Sequence, residues 1–523
     1  MKTPREVVEQ LKTKLDRRHV SAFLWTFGIG LLIHLPVMVG DYPNHDGLAS
    51  MYFDQNMITS GRWFLTVACG FSTYFTIPWV IGLLGLFFLG LASVVLTELL
   101  EVKSSASAAL CGGMLAAFPA LASTFAYVFT LDGYMLALFL ATLSVLLTKQ
   151  TKWGFLPGAL CLAFSLGTYQ AYLPFAILLC IYQVVLLFIK GEWTRDRKSL
   201  LKKTGNYLGM GALGFGLYYL ILQILLMIQG KKLDTYQGIG EAQAGGREGI
   251  VAALKATYVD FVKFSVNGHV LFQNVFSAIA LAVLVLLTVY AVIRLANLRK
   301  WWKHPGFYGI MLLLIIALPV CTSCIRVVSS ELTYHLLMRY QWVLYPIFAV
   351  AFCDWYFEGE GKGERSLGLL QWLLLGSATV LIFCHGLADN VGYSNLQKKY
   401  ERTYAYCLRL LDRIEQTEGY YQGIPVALVG WVGEDAFPKT DLTGEVTGNM
   451  IGLSGDYLLY TGDNYEAFIK NYLGATLNIV DVSVMGEIYY KDEYVEMDSF
   501  PGPGSTKVID GILCVKTENK RRD

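Results

Sequence analysis

Charge is what this sequence has least of. Only 16% of its 523 residues are Asp, Glu, Lys or Arg, while 54% are hydrophobic and the mean hydropathy is +0.46. So little charge excludes a soluble multidomain protein, which needs far more polar surface than this. A net charge of +1 gives no basic surplus that would point to nucleic acid. Metal chemistry has little to work with either. Cys321 and Cys324 form a lone C-x-x-C with no second pair or zinc-spaced His behind it, and most of the ten cysteines sit inside apolar runs as small hydrophobes. The glycine-rich stretch 238–249 lacks the G-K-[ST] ending of a phosphate loop. No internal repeat is evident. Nor is a cleavable leader, since the N-terminal residues are polar and no small-residue cleavage site follows the first apolar run. Nothing calls for a metal or a cofactor.

Long apolar runs are what the chain has instead. Eleven segments of membrane-spanning character recur, at 22–40, 76–97, 107–128, 131–148, 153–169, 171–189, 206–228, 270–293, 307–325, 338–354 and 367–387. The expected fold is mainly α, a polytopic helical membrane protein of about eleven transmembrane helices. Residues 1–21, containing KTKLDRRH, form a basic amphipathic lead-in. If that segment is cytoplasmic, the inner segments hold twenty-one Lys and Arg and the outer loops seven, a clear positive-inside bias. An odd number of spans then leaves everything beyond 389 outside. That tail has soluble composition. An amphipathic helix is expected at Asn395–Glu418, buried strands at 424–430 and 476–482, and a helix at 464–474 ended by Gly474. A final Asp-Gly hairpin completes a small extracytoplasmic α/β domain over 390–523. A disulfide between Cys407 and Cys514, the only cysteines of the tail, stays open.

The stretch Asp41–Arg62, DYPNHDGLASMYFDQNMITSGR, follows directly on the first apolar run. Asp41, His45 and Asp46 crowd its start and Arg62 closes it. Leu48, Met51, Tyr52 and Ile58 recur at roughly helical spacing, which predicts an amphipathic helix lying along the bilayer surface. A polar loop between spans carries some charge in any case, so the argument rests on what else reaches the same side. Asp132 opens the 131–148 span, and Tyr169 and Gln170 occupy the tight turn GTYQAYLP. Glu331 and His335 stand four apart ahead of Arg339, and the outer loop 229–269 contributes LDTYQGI with Tyr236. Each has a plainer explanation. Tyrosines belt membrane interfaces, Arg339 could snorkel, and Glu331 with His335 could be a solvated helical pair.

A lipid phosphate would use such a set. Its phosphate lies at the membrane surface, where the planar guanidinium of Arg62 or Arg339 donates two hydrogen bonds and stays charged. A sugar leaving with its phosphate needs no protonation of the leaving group. One carboxylate, Asp41 or Asp46, is then sufficient as general base on an acceptor hydroxyl.

The order of an Asp-bearing polar loop, SGRWF, LDGY, GTYQAYLPFA, LDTYQGI and MRYQ resembles the Gtr-type glucosyltransferase family, related to the wider GT-C class. The likeness covers roughly residues 20–390. It implies a GT-C-like membrane domain at 22–389, with a catalytic outer loop at 41–75, that transfers glucose from a polyprenyl-phosphate donor outside the cytoplasm. The base would be Asp41, with Asp46 its rival. The family's Gly-Arg falls on Gly61 and Arg62, and its Tyr-Gln turn on Tyr169 and Gln170. The tail resembles that of Gram-positive versions, whose acceptor would be a wall or surface polysaccharide. DYPNHDG stands where many GT-C members have adjacent acidic residues. A transporter of lipid-linked sugars and a non-catalytic surface scaffold are the competing classes. The first would want repeats or midplane charges that the chain does not show.

Overall fold

The structure, a computed structural model, describes residues 3–6, 9, 15–50, 55–70, 76–191, 196–234, 246–267, 270–271, 273–328, 333–362, 366–429, 444, 446–448, 450–455, 458–459 and 461–517, the side chains of 49–50, 246–248, 250, 267 and 328 excepted. The chain is a polytopic helical membrane protein with little strand. It divides into two compact units. The first comprises Met1–Val39, Asp54–Asn390 and Asn449–Ile451, and the second Gly40–Phe53, Val391–Gly448 and Gly452–Asp523.

Among the described residues of the chain, nine helices are long and apolar enough to cross a membrane. They fall on nine of the eleven expected segments. The other two explain themselves by proline and by length. Pro119 lacks an N–H and forces Phe118 into extended backbone (φ −72°, ψ 129°), so Ser105–Ala117 and Pro119–Phe125 meet at a 47° bend. Phe155–Thr168 has 14 residues. That is about 21 Å of rise, too short for a straight crossing.

Helix starts follow their caps. Ser104 accepts from Ser107 N–H, Asp196 from Ser199 N–H, and Asn274 forms a capping box with Ser277. Close helix packing falls on glycines: a Cβ on Gly112 would lie 2.3 Å from Thr26 Oγ1 and 2.8 Å from Ala22 O. Burial separates inner from outer helices. The apolar windows of Val128–Gln150 and Leu336–Phe357 are 72% buried, that of Pro305–Thr322 only 11%. One end of the bundle is held by Glu101, which takes Lys149 at 3.1 Å and Lys190 at 2.5 Å.

The loop expected at 229–269 contains a 22-residue helix, Gly246–Asn267. Ala253, Thr257, Asp260 and Phe264 face the bundle, while Val251, Val259, Val262 and Val266 are exposed. The last span and the amphipathic helix expected at Asn395–Glu418 are one 49-residue helix, Leu367–Glu415. Gly386 and Gly392 do not break it, because both serve packing: a Cβ there would come within 2.9 Å of Ile33 and 2.8 Å of Leu453.

The second unit is a small α/β structure. Its sheet has the order β2–β1–β4–β3, with β1 Pro425–Val429, β2 Asn478–Ile479, β3 Thr506–Ile509 and β4 Ile512–Lys516. β1 runs parallel to both neighbours, and β3 and β4 form a hairpin. Asp510 and Gly511 make its turn with φ of 52° and 78°, the left-handed pair that Asp-Gly supplies. Gly462–Phe468 continues as a π turn that ends on Gly474 at φ +72°. Tyr406, Leu410 and Ile414 pack with Val426, Leu428, Leu513 and Val515 to form the core. Cys407 and Cys514 are both free thiols, as are Cys321 and Cys324.

Leu48 belongs to that same α/β core at 3% exposure, so it is not offered to a bilayer surface. The predicted surface helix is therefore corrected. Among the described residues of the stretch only His45–Ser50 is α-helical, Ile58 sits buried in the 3-10 turn Ile58–Ser60 of the first unit, and Met51 and Tyr52 lie outside the described residues.

Candidate active site

Arg62 is placed by a turn whose geometry only glycine accepts. Ile58–Ser60 closes on Gly61 at φ +76°, and Arg62 N–H returns to Met57 O at 3.1 Å. A Cβ on Gly61 would stand 2.5 Å from Tyr218 Oη and 2.6 Å from Gln170 Nε2. Gln170 Nε2 donates to Ser60 O at 3.0 Å and to Tyr218 Oη at 3.1 Å, which pins the turn to the Arg197–Gln229 helix. Gly167 O accepts Phe64 N–H at 2.7 Å. Thus the SGRWF and TYQ runs meet in space.

The guanidinium of Arg62 donates from Nη1 to Tyr134 Oη at 3.1 Å and lies 5.1 Å from the centre of the Tyr169 ring. Tyr134 and Tyr169 stack at 4.1 Å and 8°. Tyr172 and Tyr340 extend this buried aromatic wall, at 5.4 Å from Tyr169 to Tyr172 and 6.4 Å on to Tyr340. Such faces offer a cation–π partner to Arg. Asp132 is buried beside Cys69 and accepts Gly133 N–H at 2.9 Å. Burial first, and Asp132 second, push the Cys69 thiol up.

Arg339 is placed differently. It occupies a kink (φ −107°, ψ 22°) inside the 3-10 helix Leu336–Val343 and is 7% exposed. Nη1 and Nη2 fork onto the two oxygens of Asp260, each at 2.7 Å, and Nε donates to Tyr334 O at 3.1 Å. Its guanidinium also covers Tyr334 at 4.1 Å and Phe264 at 4.6 Å. Arg326 reaches the same Asp260 at 3.1 Å. His335, just ahead, is held below its usual basicity by burial and then by Arg339. Glu331 and Tyr236 lie outside the described residues, so the expected Glu331–His335 pair does too.

The two candidate bases, Asp41 and Asp46, both belong to the second unit. Asn44 caps the His45–Ser50 helix by accepting Gly47 N–H at 2.7 Å. Asp41 is exposed and accepts from Tyr472 Oη at 3.3 Å, beside a tyrosine cluster in which Tyr42 and Tyr472 lie 5.5 and 5.3 Å from Tyr400. Partial burial raises its carboxyl above the ordinary 3.8, with the Tyr472 bond pulling the other way. His45 Nε2 lies 3.5 Å from Asp46, whose carboxylate is exposed. Burial lowers the His45 imidazole, Asp46 opposes that, and Lys399 adds to it. His45 O accepts from Asn464 at 3.2 Å.

The structure therefore joins Arg62, Tyr169 and Gln170 in one cluster, Arg339 and His335 in another, and Asp41, His45 and Asp46 in the second unit. Sequence reasoning missed Tyr134, Tyr218, Asp260, Arg326 and Tyr472. Tyr134 stood in the LDGY run without a role, and the others carry no local signature. Among the described residues, no group of three His, Cys, Asp or Glu side chains has the geometry to hold a metal ion.

The fold is that of a multi-pass helical membrane protein, with arginines set against aromatic faces. Residues 35–350, more than half of the chain, match the family described as Glucosyl transferase GtrII, and the protein belongs to that family. It is a membrane glucosyltransferase. No curated protein matches the chain.

Proposed function

We propose that the enzyme moves glucose from a polyprenyl-phosphate donor to a wall or surface polysaccharide outside the cytoplasm, on a GT-C-like membrane domain. The N-terminal residues 1–21 are then cytoplasmic and the domain at 390–523 extracytoplasmic, as the positive-inside bias supports. The observation that carries the donor is the setting of Arg62: a partly exposed guanidinium backed by the stacked Tyr134 and Tyr169. A donor phosphate on its outer side would meet a guanidinium that the two rings hold in place.

Transfer needs one base. Asp41 or Asp46 takes the proton from the acceptor hydroxyl as its oxygen bonds to the sugar C1. The C1–O bond to phosphate breaks and the electron pair leaves on polyprenyl phosphate, whose new charge Arg62 or Arg339 meets. His45, Asp132, Tyr169, Gln170, His335, Glu331 and Tyr236 complete the proposed substrate contacts.

The test is radiolabelled transfer from polyprenyl-phosphate glucose to extracted wall polysaccharide by reconstituted protein. Asp→Asn at the base keeps shape and removes charge, so transfer should fall by about 10²–10⁴ while donor binding survives. Wild-type rates in both Asp41→Asn and Asp46→Asn would overturn the assignment. Orientation is read separately. Tyr490→Cys, at a position 78% exposed, should take an impermeant thiol label in intact cells.

A further inference from the structure

An apolar cavity of about 400 Å³ lies in the first unit between the helices Leu173–Ile189, Val275–Arg299 and Leu344–Phe357. Its walls include Tyr182, Leu186, Val285, Val289, Tyr345 and Phe352. Along Val275–Arg299 the lining runs from Leu281 to Val292. That is about 16 Å of helix rise, a length along which a hydrocarbon chain can lie.

Tyr345 marks the end of this groove that leads to charge. From Tyr345 the ring contacts pass to Trp342 at 5.3 Å and on to Phe264 at 4.7 Å, over which Arg339 sits at 4.6 Å. Tyr345 Oη also bonds Thr322 Oγ1 at 2.6 Å, next to Ser323. Around this end three buried donors have no acceptor among the described residues: Trp342 Nε1, Ser323 Oγ and Arg326 Nε. Trp342 is 2% exposed and Ser323 0%. A buried donor left unmade costs about 1–3 kcal/mol, so three together are a preparation for an acceptor-rich group. Charge agrees, because among the described residues Arg326 and Arg339 share the single carboxylate of Asp260, which leaves one positive charge over. The one orphan acceptor alongside, Gln341 Oε1, suits a hydroxyl.

We propose that this groove and its Arg326–Ser323–Trp342 end form the site for a phosphorylated polyisoprenoid, with the chain along Val285 and Val289 and the phosphate at the orphan donors. The inference rests on the lipid-phosphate donor of the preceding reading. It adds Arg326, Trp342 and Ser323 to Arg339 as contacts of the phosphate.

Binding is measured, without transfer, on the purified full chain in nanodiscs with a radiolabelled long-chain polyprenyl phosphate. Arg326→Gln and Trp342→Phe should each weaken binding by about tenfold or more, the size of one lost charge-assisted or buried bond, and Arg326→Lys should restore part of it. Val285→Trp narrows the groove from a position 52% exposed, where the fold tolerates bulk. It should weaken the long-chain phosphate and leave the phosphate of a single isoprene unit unaffected. A diacyl phosphatidic acid, with two chains, should compete poorly. The proposal is overturned if wild-type protein binds no polyprenyl phosphate, if Val285→Trp acts alike on both chain lengths, if phosphatidic acid competes equally, or if Arg326→Gln and Trp342→Phe both bind as wild type. Binding with the expected pattern but no glucose transfer would sink the enzymatic reading and leave this site standing. Transfer with unchanged binding in all the variants would do the reverse.

Discussion

Arg62 and Arg339 are the same side chain in two chemical settings. Arg62 is partly exposed and touches phenols, the hydroxyl of Tyr134 and the face of Tyr169. Arg339 is buried, forks onto Asp260 and shares it with Arg326. Phenols orient a guanidinium and carry no charge of their own. A buried carboxylate neutralises as well as orients, and the positive charge left at Arg339 is supplied by its neighbour. The lesson is that an arginine's worth as an anion clamp depends on what already holds it.

Removing Asp260 breaks this contrast most severely. Asp260→Ala leaves the buried Arg339 and the partly exposed Arg326 without their shared carboxylate, and the loss of one partner of a buried pair should cost about 3–5 kcal/mol, read as a large fall in thermal midpoint in lipid. Arg62→Ala should leave the midpoint nearly unmoved and raise the donor KM by about one to two orders of magnitude, the size of a lost charged hydrogen bond. If Arg62→Ala destabilises as much as Asp260→Ala, the two settings are equivalent and the contrast fails. Tyr134→Phe keeps the stack on Tyr169 and removes one hydrogen bond, worth about 0.5–1.5 kcal/mol, seen as a few-fold rise in donor KM. The smallest effect is on pH. Burial raises Asp41, so its ionised form is disfavoured in the fold, and the stability it contributes at low pH is lost as pH rises through its raised pKa. As base it must be ionised, so transfer should fail on the acid side at a pH above the ordinary carboxyl value of 3.8. Tyr472→Phe removes the bond that opposes the shift and should move that limb further up. A downward move would show that Tyr472 does not act on Asp41.

Much of the fold could be read because lipid enforces it. Each apolar run has to be a helix in the bilayer, and all eleven segments correspond to helices, one bent at Pro119 and one only 14 residues long. Caps and turns at Asn274, Gly474 and Asp510–Gly511 were equally legible, since their geometry is decided within a few residues. What could not be read was pairing across the chain. Asp260 lies 79 residues from Arg339, and Tyr218 lies 48 from Gln170. Helical spacing took Leu48 for a lipid-facing residue because an apolar stripe does not declare which apolar surroundings it will meet. The core of the second unit claims it.

The helix Gly246–Asn267 carries Asp260 on one face and Val251, Val259, Val262 and Val266, all exposed, on the other. Four exposed valines on one helix face suit annular lipid better than water. The carboxylate that neutralises Arg339 is thus mounted on a part whose backing is solvent of a particular kind. Strip that lipid away and the mounting loosens before any residue of the charge cluster is disturbed. Catalytic competence on purification then belongs to the protein together with its first layer of lipid, and recovery after adding lipid back becomes as informative as any substitution.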